Sequence, residues 1–332
     1  MTKAIFATFS GGSANAPKRS ISQLRGQAYL RSFICSSLAL DDVHLYLFLA
    51  PKPTYKLLSE HLGAFPRLHL LPMTGGSGGP RLQHARYTEY LALIRGPAAN
   101  VTKLVLADAS DVIFQADPFP LITHGLYTAE ESASYTLGSH RANAMWVSEL
   151  FGEATLSALA DGHVLCSGLT MGTVSAISAY LELMAAETSQ RLTPPRLNEL
   201  RQRHGRDICR GLDQGIHNVL VRSKLSRLAT VLPSGRSVIF HGNEMRCGVD
   251  VALNGSRLAY VHGEVPLAIA HQFGRIKGAC QRVVRRVLTC RAVDAGGESR
   301  RVPSFCRSCA ARWPTWLGDD ADSWRSSPDR RR

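Results

Sequence analysis

The first third of the chain alternates short apolar runs with segments of helical spacing. Residues 3–9, 43–49, 69–71 and 103–107 are apolar runs of strand length, and Ser-Gly-Gly closes the first of them. Between these runs, residues 22–40, 55–62 and 83–95 carry apolar side chains at helical spacing. Strands that alternate with helices predict an α/β fold, with a mostly parallel central sheet and helices on both faces.

Beyond about residue 120 the alternation becomes less regular. Helical spacing returns at 142–152, 175–189 and 213–221, and short strands are expected around 238–241 and 259–262. The basic, interrupted segment 190–210 predicts a surface excursion. After about Cys290 the periodicity is lost and Gly, Ser, Arg and Asp accumulate, so residues 291–332 are predicted to form a disordered basic tail.

The positive charge is concentrated at the C-terminal end. The 332 residues carry a formal net charge of +13, and the segment from Arg275 onward contains 14 Lys and Arg against 6 Asp and Glu. A nucleic-acid-binding protein is expected to carry its basic surface on the folded domain. Nucleic acid is therefore not an expected partner, whereas membrane association of the basic tail stays open.

The apolar runs are too short for membrane insertion. No uninterrupted apolar stretch reaches 18 residues, and the run after Lys3 ends too soon for a signal peptide. Eight scattered cysteines do not decide the redox compartment. The expectation is a soluble, cytoplasmic protein as the chain stands, or a Golgi protein if an N-terminal anchor is missing.

Two carboxylates follow the apolar run 103–107. Asp108 comes directly after it, and Asp111 precedes a second apolar segment at 112–114. Ligands of open α/β sheets bind at the carboxyl ends of strands. A pair of carboxylates would repel a diphosphate, whereas a divalent cation between them would bridge to the phosphate oxygens. The pair therefore predicts a metal site, with capping of a loop or of the next helix as the alternative.

The segment 106–119, LADASDVIFQADPF, resembles the Asp-x-Asp region of glycosyltransferases with the GT-A fold. The similarity is greatest to family 8 and to related plant and algal nucleotide-diphospho-sugar transferases. Residues 166–172, 213–218 and 271–277 resemble, in the same order, the Asn-Ser-Gly, Asp-Gln and His-x-x-Gly-x-x-Lys segments of that family. The resemblance implies a Rossmann-like GT-A domain over residues 1–280, with a nucleotide-binding half to about 120 and an acceptor-binding half over 121–280.

The resemblance also implies a role for each matching residue. The metal, Mn²⁺ or Mg²⁺, would be held by Asp108, Asp111 and His271. The UDP-sugar donor would be bound by residues from four parts of the chain: Ala7, Thr8 and Ser10 at the base and ribose, Arg86, Gly274 and Lys277 at the diphosphate, and Ser167 and Gly168 at the sugar. Asp213 and Gln214 would be catalytic, stabilising the oxocarbenium-like centre or orienting the acceptor hydroxyl.

Ordinary structural roles remain open for several of these residues. His271 is alternatively a core histidine, Asp213 the N-cap of a helix, and Arg86 a surface side chain. Lys277 is alternatively the first residue of the basic run that follows it. Cys166 stands where the family has Asn, which removes one expected hydrogen bond to the sugar.

The implied activity is transfer of a hexose or pentose from a UDP-sugar to a hydroxyl of a glycan, protein or small-molecule acceptor, with retention favoured by the similarity to family 8. Two other functions stay open. A sugar-nucleotide nucleotidyltransferase would carry a Gly-rich basic loop after the first strand, which Gly11, Gly12, Lys18 and Arg19 partly imitate. A non-catalytic protein that binds sugar nucleotides or glycans is consistent with Cys166.

Overall fold

A computed structural model of the chain describes residues 2–10, 27–50, 52–63, 65–74, 80–109, 111–242, 251–254, 257–261 and 267–272. The twelve strands in this part are β1 (Thr2–Ser10), β2 (Val43–Ala50), β3 (Leu68–Pro72), β4 (Val101–Asp108), β5 (Val112–Phe114), β6 (Leu126–Glu130), β7 (Leu165–Thr173), β8 (Ala229–Leu232), β9 (Ile239–His241), β10 (Val251–Asn254), β11 (Arg257–Tyr260) and β12 (Ile269–His271). The eight α-helices are α1 (Gln27–Leu38), α2 (Lys52–Leu62), α3 (Pro80–Arg95), α4 (Arg141–Phe151), α5 (Glu153–Leu159), α6 (Val174–Arg191), α7 (Pro194–His204) and α8 (Leu212–Arg222).

Seven strands form the central sheet in the order β3-β2-β1-β4-β7-β6-β8. All neighbouring pairs are parallel except those that involve β7, which runs antiparallel to both β4 and β6. The mostly parallel α/β sheet predicted from the sequence is confirmed. The sheet takes strands from both predicted halves of the 1–280 domain, and the boundary near residue 120 stays a prediction.

Alternate residues of the strands contribute to two cores on opposite faces of this sheet. In β1, Ile5 and Phe9 face the core that α1 and α2 cover, whereas Ala4 and Phe6 face the core that α3, α6 and α8 cover. This period of two is the natural consequence of strand geometry, since successive side chains point to opposite faces. The prediction of helices on both faces is therefore confirmed.

A small second sheet, in the order β5-β12-β9, lies at the end of β4. Its middle strand, β12, pairs antiparallel with β5 and parallel with β9. In this register His271 is the partner of Val112 on one side and of His241 on the other. The small sheet thus connects the residue after Asp111 with two histidines that are distant in sequence.

Residues 190–210, predicted only as a surface excursion, contain a helix that the sequence did not indicate. Pro194 and Pro195 open α7 instead of only ending α6, because the first turn of a helix tolerates proline. Leu197 and Leu200 of α7 are buried, and a 3₁₀ turn, Arg206–Arg210, follows. The sequence interpretation also missed the sheet strands β6, β7 and β8 and the short helix α5. The predicted tail 291–332 lies outside the described residues.

The buried histidine of α8 makes the stability of the fold sensitive to acid. Burial, with smaller effects from Arg86 and Arg222, lowers the pKa of His217 to about 3. An unfolded histidine titrates near pH 6.5, so between about pH 6.5 and 3 only the unfolded state binds this proton. As the pH is lowered through this range, the free energy of unfolding therefore falls by about 1.4 kcal/mol per pH unit. We expect His217→Gln to remove that contribution in urea unfolding measured from about pH 7 to 4. An unchanged pH slope would contradict this account.

Among the described residues, no helix is long and apolar enough to cross a membrane.

Candidate functional site

Three separate chain segments bring two carboxylates and an imidazole together at the carboxyl end of β4. Asp108 is the last residue of β4, where it pairs with Thr8 of β1. Asp111 directly precedes β5, and its carbonyl oxygen accepts a hydrogen bond from the backbone N–H of Gln272 at 2.8 Å. That bond holds His271, the residue before Gln272, against the Asp pair. The main-chain pairing of β5 with β12 therefore positions Asp111 and His271, whereas the pairing of β4 with β1 positions Asp108.

The three side chains converge on one point. One ligand atom from each of Asp108, Asp111 and His271 can be chosen so that all lie within 4.8 Å of one another. Nε2 of His271 is 3.4 Å from Oδ1 of Asp111 and 3.9 Å from Oδ2 of Asp108. His271 is buried, yet its Nε2 makes no well-oriented hydrogen bond among the described residues. A buried nitrogen that faces two carboxylates indicates a ligand of a divalent cation rather than a core histidine whose hydrogen bonds are all made.

The electrostatics of the cluster favour a cation as well. Burial raises the pKa of Asp108, the guanidinium of Arg86 lowers it, and the neighbouring carboxylate of Asp111 raises it again; the net shift is upward. Burial by itself lowers the pKa of His271, but its interactions with Cys166 and with the carboxylate of Asp111 outweigh burial and raise this pKa well above the usual range. Metal binding would therefore displace a proton from the ring and relieve the repulsion between the carboxylates.

Gly168 of β7 lies against this cluster. A Cβ atom at this position would stand 2.6 Å from Oδ2 of Asp108 and 3.0 Å from Nε2 of His271. Any side chain there would occupy the space between the carboxylate and the imidazole. The glycine therefore keeps open the region in which a cation and a phosphate oxygen would bind.

Arg86 of α3 is buried and links the cluster to α8, so its interpretation as a surface arginine is wrong. Its Nη1 donates to Oδ1 of Asp108 at 2.6 Å, and its Nη2 donates to Oδ2 of Asp213 at 2.8 Å. The hydroxyl of Tyr87 donates to the same oxygen of Asp213 at 3.1 Å. Asp213 is not the N-cap of α8, because the N-cap residue is Gly211. The Asp213 carboxylate instead serves as the buried counter-charge of Arg86.

We expect Arg86→Met to lower the free energy of unfolding by about 3–5 kcal/mol, since it leaves the buried carboxylate of Asp213 without its cation. Urea unfolding monitored by circular dichroism measures the change. The double variant Arg86→Met/Asp213→Asn, which removes the stranded charge, should recover most of the loss. If Arg86→Met were as stable as the wild type, Arg86 would not be needed to compensate the buried charge of Asp213.

A second polar cluster lies beside the first, and of its members only Gln214 was predicted from the sequence. Nε2 of Gln214 lies 3.1 Å from Oε2 of Glu131 and 3.0 Å from Oδ1 of Asn143. Nε2 of Gln272 donates to the other oxygen of Glu131 at 3.1 Å. Gln272 has a φ of +54°, a left-handed conformation that non-glycine residues adopt rarely and that is frequent at functional sites. No local signal marked Glu131, because it follows Glu130 at the end of a strand of mixed apolar and polar residues.

The other predicted site residues occupy different surroundings. Thr8 lies beside Asp108, and Ser10 ends β1 opposite Ala50 of β2, whereas Ala7 is fully buried in the core. The carbonyl oxygen of Ser167 lies 3.4 Å from Nη2 of Arg86. Gly274 and Lys277 lie outside the described residues. The binding roles of all these residues stay predictions.

Behind the metal cluster lie Cys166, which the sequence placed on the sugar side of the site, and His241, which was not predicted to belong to the site. Sγ of Cys166 is 3.6 Å from Nδ1 of His271, and Nδ1 of His241 is 3.0 Å from the same nitrogen. Burial lowers the pKa of His241 well below its usual value and raises the pKa of the Cys166 thiol. Both groups are therefore neutral at neutral pH. They contact Nδ1 of His271, whereas Nε2 on the other side of the ring faces the carboxylates.

No protein-family model matches the chain, and no curated protein sequence is similar to it. Among solved structures, the chain is similar to the crystal structure of mouse xyloside xylosyltransferase 1 in its apo form, with a TM-score of 0.41 and 13% sequence identity. The similarity covers 82% of this chain and 97% of that one. At this level of similarity the functional assignment depends on the side chains of the site itself.

Proposed function

We propose that the protein is a metal-dependent glycosyltransferase that transfers a sugar from a nucleotide-sugar donor, a UDP-sugar, to an acceptor hydroxyl. The observation that carries the proposal is the convergence of Asp108, Asp111 and His271 at the carboxyl end of β4. This edge of an open α/β sheet is where such folds bind nucleotides. Two carboxylates and one neutral imidazole form a donor set suited to Mn²⁺ and also compatible with Mg²⁺.

The chain's own residues around the cluster fit a diphosphate. Bound there, the cation would neutralise the phosphate oxygens and the charge that develops on the departing UDP. Gly168 leaves space for those oxygens, and Arg86 holds one oxygen of Asp108 at 2.6 Å, which fixes the orientation of that carboxylate. Thr8 and Ser10, at the end of the neighbouring strand, are assigned to the nucleoside on the strength of the family resemblance.

The cluster formed by Glu131, Asn143, Gln214 and Gln272 is assigned to the sugar and acceptor side. It lies next to the metal cluster because Gln272 follows His271 directly in the chain. Its hydrogen bonds hold the Gln214 amide in one orientation, as required of a group that positions a reacting hydroxyl. Asp213 acts through Arg86 in this proposal, since its carboxylate is buried against the guanidinium.

Retention of the anomeric configuration is proposed from the resemblance to family 8 alone. The acceptor is a glycan, a protein or a small molecule with a free hydroxyl. Location in the cytoplasm or in the Golgi, the latter with an anchor outside this sequence, is compatible with the proposal.

A donor panel tests the proposal. The purified chain is incubated with UDP- and GDP-sugars, with Mn²⁺ or with EDTA, and release of free nucleotide is measured. We expect UDP release from at least one UDP-sugar, dependent on the metal. Conversion of a sugar nucleotide only when pyrophosphate is added would instead indicate a nucleotidyltransferase. Metal-dependent binding without turnover, with or without simple acceptor sugars, would indicate a non-catalytic binding protein.

A further inference from the structure

The imidazole ring of His241 contacts that of His271, the proposed metal ligand, and the backbone of the small sheet positions both residues. The two residues are register partners at the ends of the parallel strands β9 and β12. The backbone N–H of Gly242 donates to the carbonyl oxygen of His271 at 2.8 Å, which continues the pairing past the strand ends. Both rings are buried, with their centroids 5.0 Å apart and their planes at 70°. Their relative position is therefore set by main-chain geometry and close packing.

The contact joins Nδ1 of one ring to Nδ1 of the other at 3.0 Å. Only one hydrogen fits between two nitrogens at this distance, so one ring donates and the other accepts. A histidine that ligates a cation through Nε2 must keep its remaining proton on Nδ1. Nε2 is the nitrogen of His271 that faces Asp108 and Asp111. In the metal-binding state, Nδ1 of His271 therefore donates and Nδ1 of His241 accepts.

We propose that His241 is a positioning residue that keeps the Nδ1 proton on His271 and so presents the Nε2 lone pair to the cation. The inference rests on the metal site of the proposed function. Partners that orient a metal-ligating histidine commonly accept from its second ring nitrogen, and their loss weakens metal binding by about 10–100-fold. If a neighbour instead donated to Nδ1 of His271, the ring would carry its proton on Nε2. That N–H would point at the carboxylates and exclude the cation.

Cys166 does not replace His241 in this role. Its Sγ lies 3.6 Å from Nδ1 of His271, and a thiol is a weak hydrogen-bond acceptor. Cys166, His241 and His271 also lie close enough together to hold a soft metal ion of their own. A neutral imidazole has a single lone pair, however, so His271 serves one cluster or the other. The carboxylates on its Nε2 side favour the cluster with Asp108 and Asp111.

A matched pair of variants tests the role of His241. In His241→Asn the side-chain amide stands close to the former Nδ1 position and can still accept, whereas His241→Leu has nearly the same size and cannot. Manganese affinity is measured from the paramagnetic resonance signal of free Mn²⁺. We expect His241→Leu to weaken Mn²⁺ binding by about 10–100-fold and His241→Asn to stay within about 3-fold of the wild type. Thermal unfolding verifies that each variant is folded.

A second measurement reads the tautomer in the metal-free protein. Long-range ¹H–¹⁵N spectra of ¹⁵N-histidine protein should show, in the wild type, an unprotonated Nδ1 on His241 opposite a protonated Nδ1 on His271. A proton on Nδ1 of His241 would overturn the inference, as would equal Mn²⁺ affinity in His241→Leu and the wild type, or equal weakening in both variants. Absence of Mn²⁺ binding in the wild type would instead contradict the proposed function, while the spectra still decide whether His241 accepts.

Discussion

Asp111→Ala is expected to abolish metal-dependent binding of UDP. The substitution removes one of the two carboxylates and leaves Asp108, already engaged by Arg86, and His271 as the remaining ligands. Loss of a residue that only orients a metal ligand can weaken metal binding by roughly 100-fold. Loss of a ligand itself should weaken metal binding at least as much. Titration calorimetry of UDP in the presence of Mn²⁺ measures the effect directly.

A matched control distinguishes loss of the site from a general loss of charge. Asp161 is an exposed aspartate in a turn before β7, remote in the chain from the three proposed ligands. Asp161→Ala removes the same carboxylate charge and should bind UDP and Mn²⁺ as the wild type does. Unchanged calorimetric binding in folded Asp111→Ala would remove Asp111 from the metal site.

Gly168→Ala is expected to block the same site by adding a single methyl group. The new Cβ would stand 2.6 Å from Oδ2 of Asp108 and 2.6 Å from Cε1 of His271, too close for either contact to persist. Neither neighbour moves easily, because Asp108 is held by Arg86 and His271 is packed in the small sheet. We expect Mn²⁺ affinity to fall by roughly 10–100-fold, as for other changes that displace a metal ligand.

The control for this substitution is Gly96→Ala, which adds the same methyl group after α3. Its Cβ would meet only the carbonyl oxygen of Ala92, at 3.3 Å. This variant should keep wild-type Mn²⁺ affinity whether or not its unfolding temperature shifts slightly. If Gly168→Ala, shown to be folded by circular dichroism, also binds Mn²⁺ like the wild type, the cation does not occupy the space beside Gly168.

Apolar periodicity predicted the N-terminal half of the central sheet because its inner strands, such as β2 and β4, are largely buried on both faces. Such strands appear in the sequence as continuous apolar runs, as in 43–49 and 103–107. The strand β6 was missed because it is only five residues long and mixes apolar with polar side chains. Helix α7 was missed because most of its residues are polar and only Leu197 and Leu200 are buried.

The candidate site was only partly predictable, for a physical reason. Asp108 and Asp111 follow a strand, so local sequence indicates their position at the sheet edge. His271 and Arg86 were identified through the family resemblance, since nothing local distinguishes them from other histidines and arginines. The hydrogen-bond partners of Glu131 and His241 are distant in sequence. These contacts form only when the fold brings β6, β9 and β12 together.

The central claim is that this edge of the sheet binds a nucleoside diphosphate through a divalent cation. Calorimetric titration of the wild-type chain with UDP, in parallel with Mn²⁺ and with EDTA, tests it most directly. We predict saturable UDP binding with Mn²⁺ that disappears in EDTA. Equal UDP binding in both conditions, or no binding in either, would contradict the claim.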